Sequence, residues 1–329
     1  MLWRHTESAP RSSEVEFNPA DPARSEIHHV LYILSPSYSG STLLTFLLAS
    51  HPDIATVGEL KASAMGDLET YRCSCGSLLK ECCFWKQVQH EMQRRGADLS
   101  LDDFGTHFNN GTAIFRRLTR LGVKHPLFAT LSSLALETLP PLRVQLTKIV
   151  EQNRLLIEVI SGIQRGRVFL DGSKDPERLN QFLNSSHWNV KVVRLIRDGR
   201  GVTNSYRKHY QVSMEEAARE WVATERACDR VAARLTPTDV LTVKYEDFCE
   251  KPQEILLRIV RFVGLDPAPQ ANRRVPAEFH ILGNQMRLAP GKAITLDEKW
   301  RKELQPSELS VFARLAGDCN RTYGYNSPH

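Results

Sequence analysis

The chain has 329 residues, 41% of them hydrophobic and 25% charged, with a formal net charge of +5. That balance belongs to a globular chain with a core large enough to need no covalent staples, and excludes disordered and collagen-like classes. The mild positive charge suits an acidic ligand, is too dispersed to argue for nucleic acid, and accompanies no run of the about 18 apolar residues a membrane span requires.

Residues 1–27 are polar, carry Pro10, Pro19 and Pro22, and lack the apolar segment of a secretory signal. They read as a disordered tail ahead of a single domain over 28–329. The expectation is a soluble cytoplasmic protein with reduced cysteines.

Val30–Leu34 is an apolar run that predicts a buried strand. Ser35, Pro36, Ser37, Tyr38, Ser39, Gly40, Ser41 and Thr42 follow, all small or turn-forming except Tyr38. From Leu43 the apolar spacing becomes helical. Strand, small-residue turn and helix start make an anion site, because the unpaired N–H groups and the positive end of the helix dipole face the turn. The plainer reading is a tight turn with no ligand. The loop departs from the nucleotide pattern G-x-x-x-x-G-K-[ST]: Ser35 stands at the first Gly, Gly40 at the second, Ser41 replaces the Lys, and Thr42 keeps the hydroxyl. A chain that splits a nucleoside triphosphate needs that Lys. A nucleotide kinase-like P-loop enzyme is therefore an alternative rather than the lead, and a non-catalytic nucleotide-binding protein is a third reading.

Ile54–Val57 predicts a short strand that delivers Gly58 and Glu59 beyond its carboxyl end, where open α/β sheets bind ligands. Cys73, Cys75, Cys82 and Cys83 are four of the seven cysteines. Their C-x-C and C-C spacings could hold zinc or form disulfides, but differ from the usual C-x2-C, and reduced thiols are the default. Residues 86–166 read as mostly helical, interrupted by Pro126, Pro140 and Pro141. With the cysteine segment they form an insertion over about 71–166, either shaping an acceptor pocket or only covering the core.

Arg167–Leu170 predicts a further strand, ending in Asp171, Gly172, Ser173 and Lys174, with a helix over 176–185 opened by Pro176. Val190–Ile196 is the next strand. Arg197 at its end and Ser205 in the following helix are eight residues apart and can converge on one anion, the Arg as a charged fork and the Ser as a short donor. An amphipathic helix over 214–235, a strand over Val240–Val243 and a helix from Pro252 to near Gly264 follow. Residues 266–298 look loop-rich, and Gly291 and Lys292 there could fold over a ligand. Trp300–Tyr325 holds the last helix. Strands alternating with helices predict an α/β fold with a P-loop-like parallel sheet flanked by helices on both faces.

Four segments together resemble the sulfotransferase superfamily: SGSTLL at 39–44 with HPD at 51–53, SKDP at 173–176, RDGRGVTNS at 197–205 and VKYEDF at 243–248. The resemblance runs from about Val30 to the C-terminus, matches poorly over 71–166, and is nearest to the bacterial and protein-tyrosine branches. It implies transfer of a sulfuryl group from 3′-phosphoadenosine-5′-phosphosulfate to an acceptor hydroxyl of a glycan, lipid or small metabolite, with no metal required and adenosine 3′,5′-bisphosphate as product. It implies that Tyr38, Ser39, Gly40, Ser41, Thr42 and Leu43 hold the 5′-phosphosulfate and that Arg197 and Ser205 hold the 3′-phosphate. Tyr245, Arg287 and Lys292 join the cofactor-binding set. Glu59 would be the catalytic base and Lys174 would stabilise charge on the transferred group. His51, His209 and Asp171 are alternative bases. The family commonly has Lys or Arg where this chain has Tyr38, and Lys174 is the expected replacement.

Overall fold

The computed structural model describes residues 28–61, 67–269, 278–288 and 294–326. The tail 1–27 and Lys292 lie outside them. Five strands form one parallel sheet: β1 (His28–Leu34), β2 (Ile54–Thr56), β3 (Val168–Lys174), β4 (Trp188–Ile196) and β5 (Val240–Lys244). Their spatial order is β2-β3-β1-β4-β5.

Alternate side chains of these strands feed two different cores, as the two-residue period of a strand requires. Val30, Tyr32 and Leu34 of β1 face one core with Phe169, Val190 and Val192. Leu31 and Ile33 face the other with Leu170, Val193 and Leu195. The second core is covered by α1 (Ser41–Ala49), α9 (Tyr245–Glu250) and α10 (Pro252–Phe262). The first is covered by α2 (Cys83–Arg94), α3 (Ala113–Lys124), α4 (Pro126–Thr138), α5 (Pro140–Gln164), α6 (Pro176–Leu183) and part of α8 (Met214–Ala232). The helices α2–α5 are the predicted block, and Pro126 and Pro140 open α4 and α5, where a missing N–H costs nothing. A third cluster joins α8 to α7 (Gly199–Tyr210), α11 (Trp300–Glu303) and α12 (Pro306–Thr322) through Val202, Trp221, Trp300 and Phe312.

The main departure from the expected elements is β3. The turn-forming composition of Asp171, Gly172 and Ser173 predicts a strand ending at Leu170, yet pairing with β1 continues through Tyr32↔Asp171 to Leu34↔Lys174. Two steps on β1 match three on β3, so β3 carries a bulge, which re-aims the side chain at its end. Asp171 tolerates the sheet interior because Arg178 of α6 donates to it from Nε at 2.8 Å. The same guanidinium donates to Thr106 O at 2.8 Å and Asn153 Oδ1 at 2.6 Å. One buried guanidinium thus pairs with the sheet and ties it to the segment inserted before β3.

Candidate functional site

The carboxyl ends of the strands bring the predicted residues into one row, in the order of the sheet. Glu59 follows β2, Lys174 ends β3, the 35–40 loop follows β1, Arg197 follows β4, and Tyr245 follows β5. Ligands of open α/β sheets bind outside this edge, where the strand order reverses around the first strand.

The loop is shaped by Gly40, which caps α1 at φ 90° and ψ 7°. A Cβ at Gly40 would lie 2.4 Å from Cδ2 of Tyr245, so both the conformation and the contact require glycine. No side chain caps the start of α1, and its first turn has no acidic residue. Ser41, Thr42 and Leu43 open the helix, leaving their N–H groups available to an anion. The hydroxyls of Ser35 and Ser39 are buried with no hydrogen-bond partner among the described residues. A buried donor left in that state costs about 1–3 kcal/mol, which an oxyanion against the loop would relieve.

Tyr38 has φ 67°, in the left-handed region that a non-glycine residue seldom adopts. That turn sends its ring onto α7, against Tyr206, His209 and Tyr210 at centroid distances of 6.2, 5.7 and 6.5 Å. Burial and then the adjoining Tyr210 push the Tyr38 phenol far above its ordinary pKa, so it remains a neutral donor. The backbone of Tyr38 has a different partner: its carbonyl accepts from Arg197 Nη1 at 2.8 Å. Arg197 also donates from Nη2 to Asp297 O at 2.7 Å and lies over the Tyr245 ring at 4.4 Å. Burial lifts the Tyr245 phenol to about 12 against the opposing Arg197 cation. Ser205 donates to the carbonyl of Gly201 at 3.0 Å, and a Cβ at Gly201 would meet Arg197 Nε at 3.1 Å. Arg197 and Ser205 therefore flank the same glycine.

At the other end of the row, Lys174 is ion-paired through Nζ to Glu59 Oε1. Lys174 also has a left-handed backbone, φ 66°, directly after the bulge of β3. Two non-glycine residues in this conformation on one edge of the sheet mark it as a place where strain of about 1–3 kcal/mol each is held by the surroundings. Gly283 lies against Glu59, with space of only 2.7 Å between a Cβ there and Oε1. Beyond the pair, Lys61 Nζ binds Asp175 Oδ2 at 3.0 Å. Burial opposes ionisation of Asp175, but Lys61 and the N–H groups of Arg178 and Glu177 outweigh it and hold the carboxyl below the usual range.

Arg287 sits apart from the row's cations. Its guanidinium is buried over the Tyr71 ring at 3.9 Å and donates to Arg72 O and Gly283 O at 2.8 and 2.7 Å. Among the alternative bases, Asp171 is committed to Arg178. His51 bridges Asp266 O at 2.8 Å and the Asp53 N–H at 3.1 Å. His209 packs on Tyr38.

Four supporting residues have contacts that the sequence reading did not foresee. Asp297 takes Arg197, Glu246 Oε1 accepts from Asp198 N at 3.2 Å, and Asn320 Oδ1 accepts from Gly199 N at 2.8 Å. Lys61 is the fourth, and its place two residues after Glu59 was its sole local signal. Glu246 lies within the VKYEDF segment, beside Tyr245, while Asp297 and Asn320 come from remote elements and had no local signal.

A parallel sheet with an uncapped, lysine-free loop after β1 and cations on the neighbouring strand ends defines an α/β protein whose carboxyl edge gathers free N–H groups and positive charge. The family model of the sulfotransferase family matches residues 31–269, and the chain belongs to that family. Among solved structures it is similar to the sulfotransferase domain from the Synechococcus PCC 7002 olefin synthase, with 19% identity, TM-score 0.52, and coverage of 93% of this chain and 98% of that one. It is also similar to the sulfotransferase domain from the curacin biosynthetic pathway, with 20% identity, TM-score 0.50, and coverage of 92% and 100%. Both likenesses concern the fold. No curated protein is similar enough to count as a match.

Proposed function

We propose that the protein is a sulfotransferase that moves a sulfuryl group from 3′-phosphoadenosine-5′-phosphosulfate to an acceptor hydroxyl of a glycan, lipid or small metabolite. The observation that carries the reading is the row along the sheet edge: the Glu59–Lys174 pair on one side of the loop and Arg197 on the other. A donor with phosphate groups at both ends of a nucleoside needs cations at two separated places, and a triphosphate does not.

The residues fit such a donor. The N–H groups at the start of α1 and the unpartnered hydroxyls of Ser35 and Ser39 suit its 5′ end. Arg197, with Ser205 beside it, suits the 3′-phosphate. The donor supplies an activated sulfuryl group whose bridging S–O bond breaks as the acceptor oxygen attacks in line. Glu59 takes the acceptor's proton as the new O–S bond forms. Lys174 holds the Glu59 carboxylate in place and offers positive charge where the leaving oxygen gains negative charge. Positioning and charge stabilisation carry most of such a transfer, so Ser41 in place of a nucleotide-binding Lys is consistent with it.

The test is incubation of the purified protein with the 35S-labelled donor and a panel of sugar, lipid and phenolic hydroxyl acceptors. Labelled product and release of adenosine 3′,5′-bisphosphate are expected. Magnesium-dependent hydrolysis of ATP with no sulfate transfer would overturn the reading.

A further inference from the structure

The cysteine segment before α2 and the segment before Arg287 meet far from the sheet edge in sequence but close to it in space. Cys73 and Cys75 lie on a small hairpin closed by the antiparallel bridge Arg72↔Leu78. Cys82 precedes α2. His280 comes from the far segment, 198 residues after Cys82. One potential ligand atom from each of Cys73, Cys75, Cys82 and His280 lies within 4.8 Å of all the others. The Cys75 and Cys82 sulfurs are 3.7 Å apart. His280 Nδ1 is 3.3 Å from Cys82 Sγ and 3.7 Å from Cys73 Sγ. A tetrahedral ion with bonds of about 2.3 Å to sulfur and about 2.0–2.1 Å to nitrogen sets such ligand atoms about 3.5–3.8 Å apart.

From this geometry we infer that Cys73, Cys75, Cys82 and His280 form a closed structural zinc site. Three sulfurs and one imidazole are a donor set of closed tetrahedral zinc centres, with no position left for a reacting water. The ring plane of His280 is fixed by Phe84, stacked on it at 4.4 Å with 2° between the rings. Cys83, the other member of the C-C pair, is exposed and outside the cluster. Around the cluster the two segments already interlock. Ser74 Oγ donates to Phe279 O at 2.7 Å and accepts from Ile281 N at 2.8 Å, and Tyr71 Oη accepts from Gly283 N at 2.9 Å. The ion clamps this junction, and Gly283 at its end is the wall against Glu59. The site is separate from the transfer chemistry, and it stands whether or not the proposed reaction does.

The deciding measurement is metal content of the full chain purified without chelator, by plasma mass spectrometry. About one zinc per chain is expected. His280→Ala and Cys73→Ser should lose it, and Cys83→Ser should keep it. Because a ligand variant can fail to fold, a second measurement uses the wild-type chain. Zinc is exchanged for cobalt, and the intense visible bands of tetrahedral sulfur-ligated Co2+ are expected, with a Tm that falls on chelation and returns with added Zn2+. A metal-free, fully folded protein whose Tm ignores Zn2+ would overturn the inference. So would a Cys75–Cys82 disulfide found in the native protein by peptide mass mapping.

Discussion

Arg197 Nη1 donates to the carbonyl oxygen of Tyr38 at 2.8 Å. The position that lacks a cationic side chain thus has a cation on its backbone, delivered from the end of the neighbouring strand β4. The same guanidinium reaches Asp297, so one side chain joins the anion loop, the β4 edge and the segment before α11.

Arg197→Ala is expected to weaken binding of adenosine 3′,5′-bisphosphate by about 1.5–3 kcal/mol, the scale of a hydrogen bond to a charged group. Titration calorimetry reads this directly. Unchanged affinity would remove Arg197 from the 3′-phosphate site.

Glu59→Gln is expected to lower sulfate transfer by about 100-fold or more, the scale of a lost general base, while bisphosphate binding stays the same. Steady-state rates and calorimetry on one preparation separate the two effects. Retained turnover would move the base elsewhere.

Gly40→Ala forces a side chain into the left-handed region and drives its methyl into the Tyr245 ring. The loop must shift, at a penalty of about 1–3 kcal/mol from crowding alone. Loss of bisphosphate binding with a native circular dichroism spectrum is the expected outcome; wild-type affinity would show that the loop tolerates the shift.

Arg178→Ala leaves Asp171 buried without its cation and unties Thr106 and Asn153 from the sheet. Breaking a buried pair from one side costs about 3–5 kcal/mol. The urea midpoint should fall accordingly, and a change within error would mean that the pair contributes little.

His107 gives a pH test. Burial, then the Lys61 cation, lowers its folded-state pKa to about 4; Arg178 adds to this, while Asp175 and Asp103 oppose it. In the unfolded chain histidine takes up its proton near about 6.5. The unfolded state therefore binds more protons between these values. The stability contribution is full above about pH 6.5, falls as the pH drops toward about 4, and levels off below it. Tm measured across that window should fall less steeply for His107→Gln than for the wild-type chain. Parallel slopes would assign the acid loss to other groups.

The sequence determined the alternation of strands and helices, the turn after β1 and the polar residues that follow the apolar runs. Those features depend on neighbours a few positions away: a two-residue apolar period for strands, a helical period for helices, and small residues where the chain must turn. The loop's shape was legible for the same reason, since Gly40 and the uncapped helix start are adjacent in the chain. The tertiary structure decided the rest. Asp171, Gly172 and Ser173 read as a turn, but pairing with β1 and the buried charge of Arg178 keep them in the sheet, and the resulting bulge aims Lys174 at Glu59. The cation at Tyr38 arrives from 159 residues away, and the histidine beside the cysteines from 198 residues beyond Cys82. No local pattern encodes such meetings, because they follow from the order in which parallel strands are laid beside one another and from packing that is complete only in the folded chain.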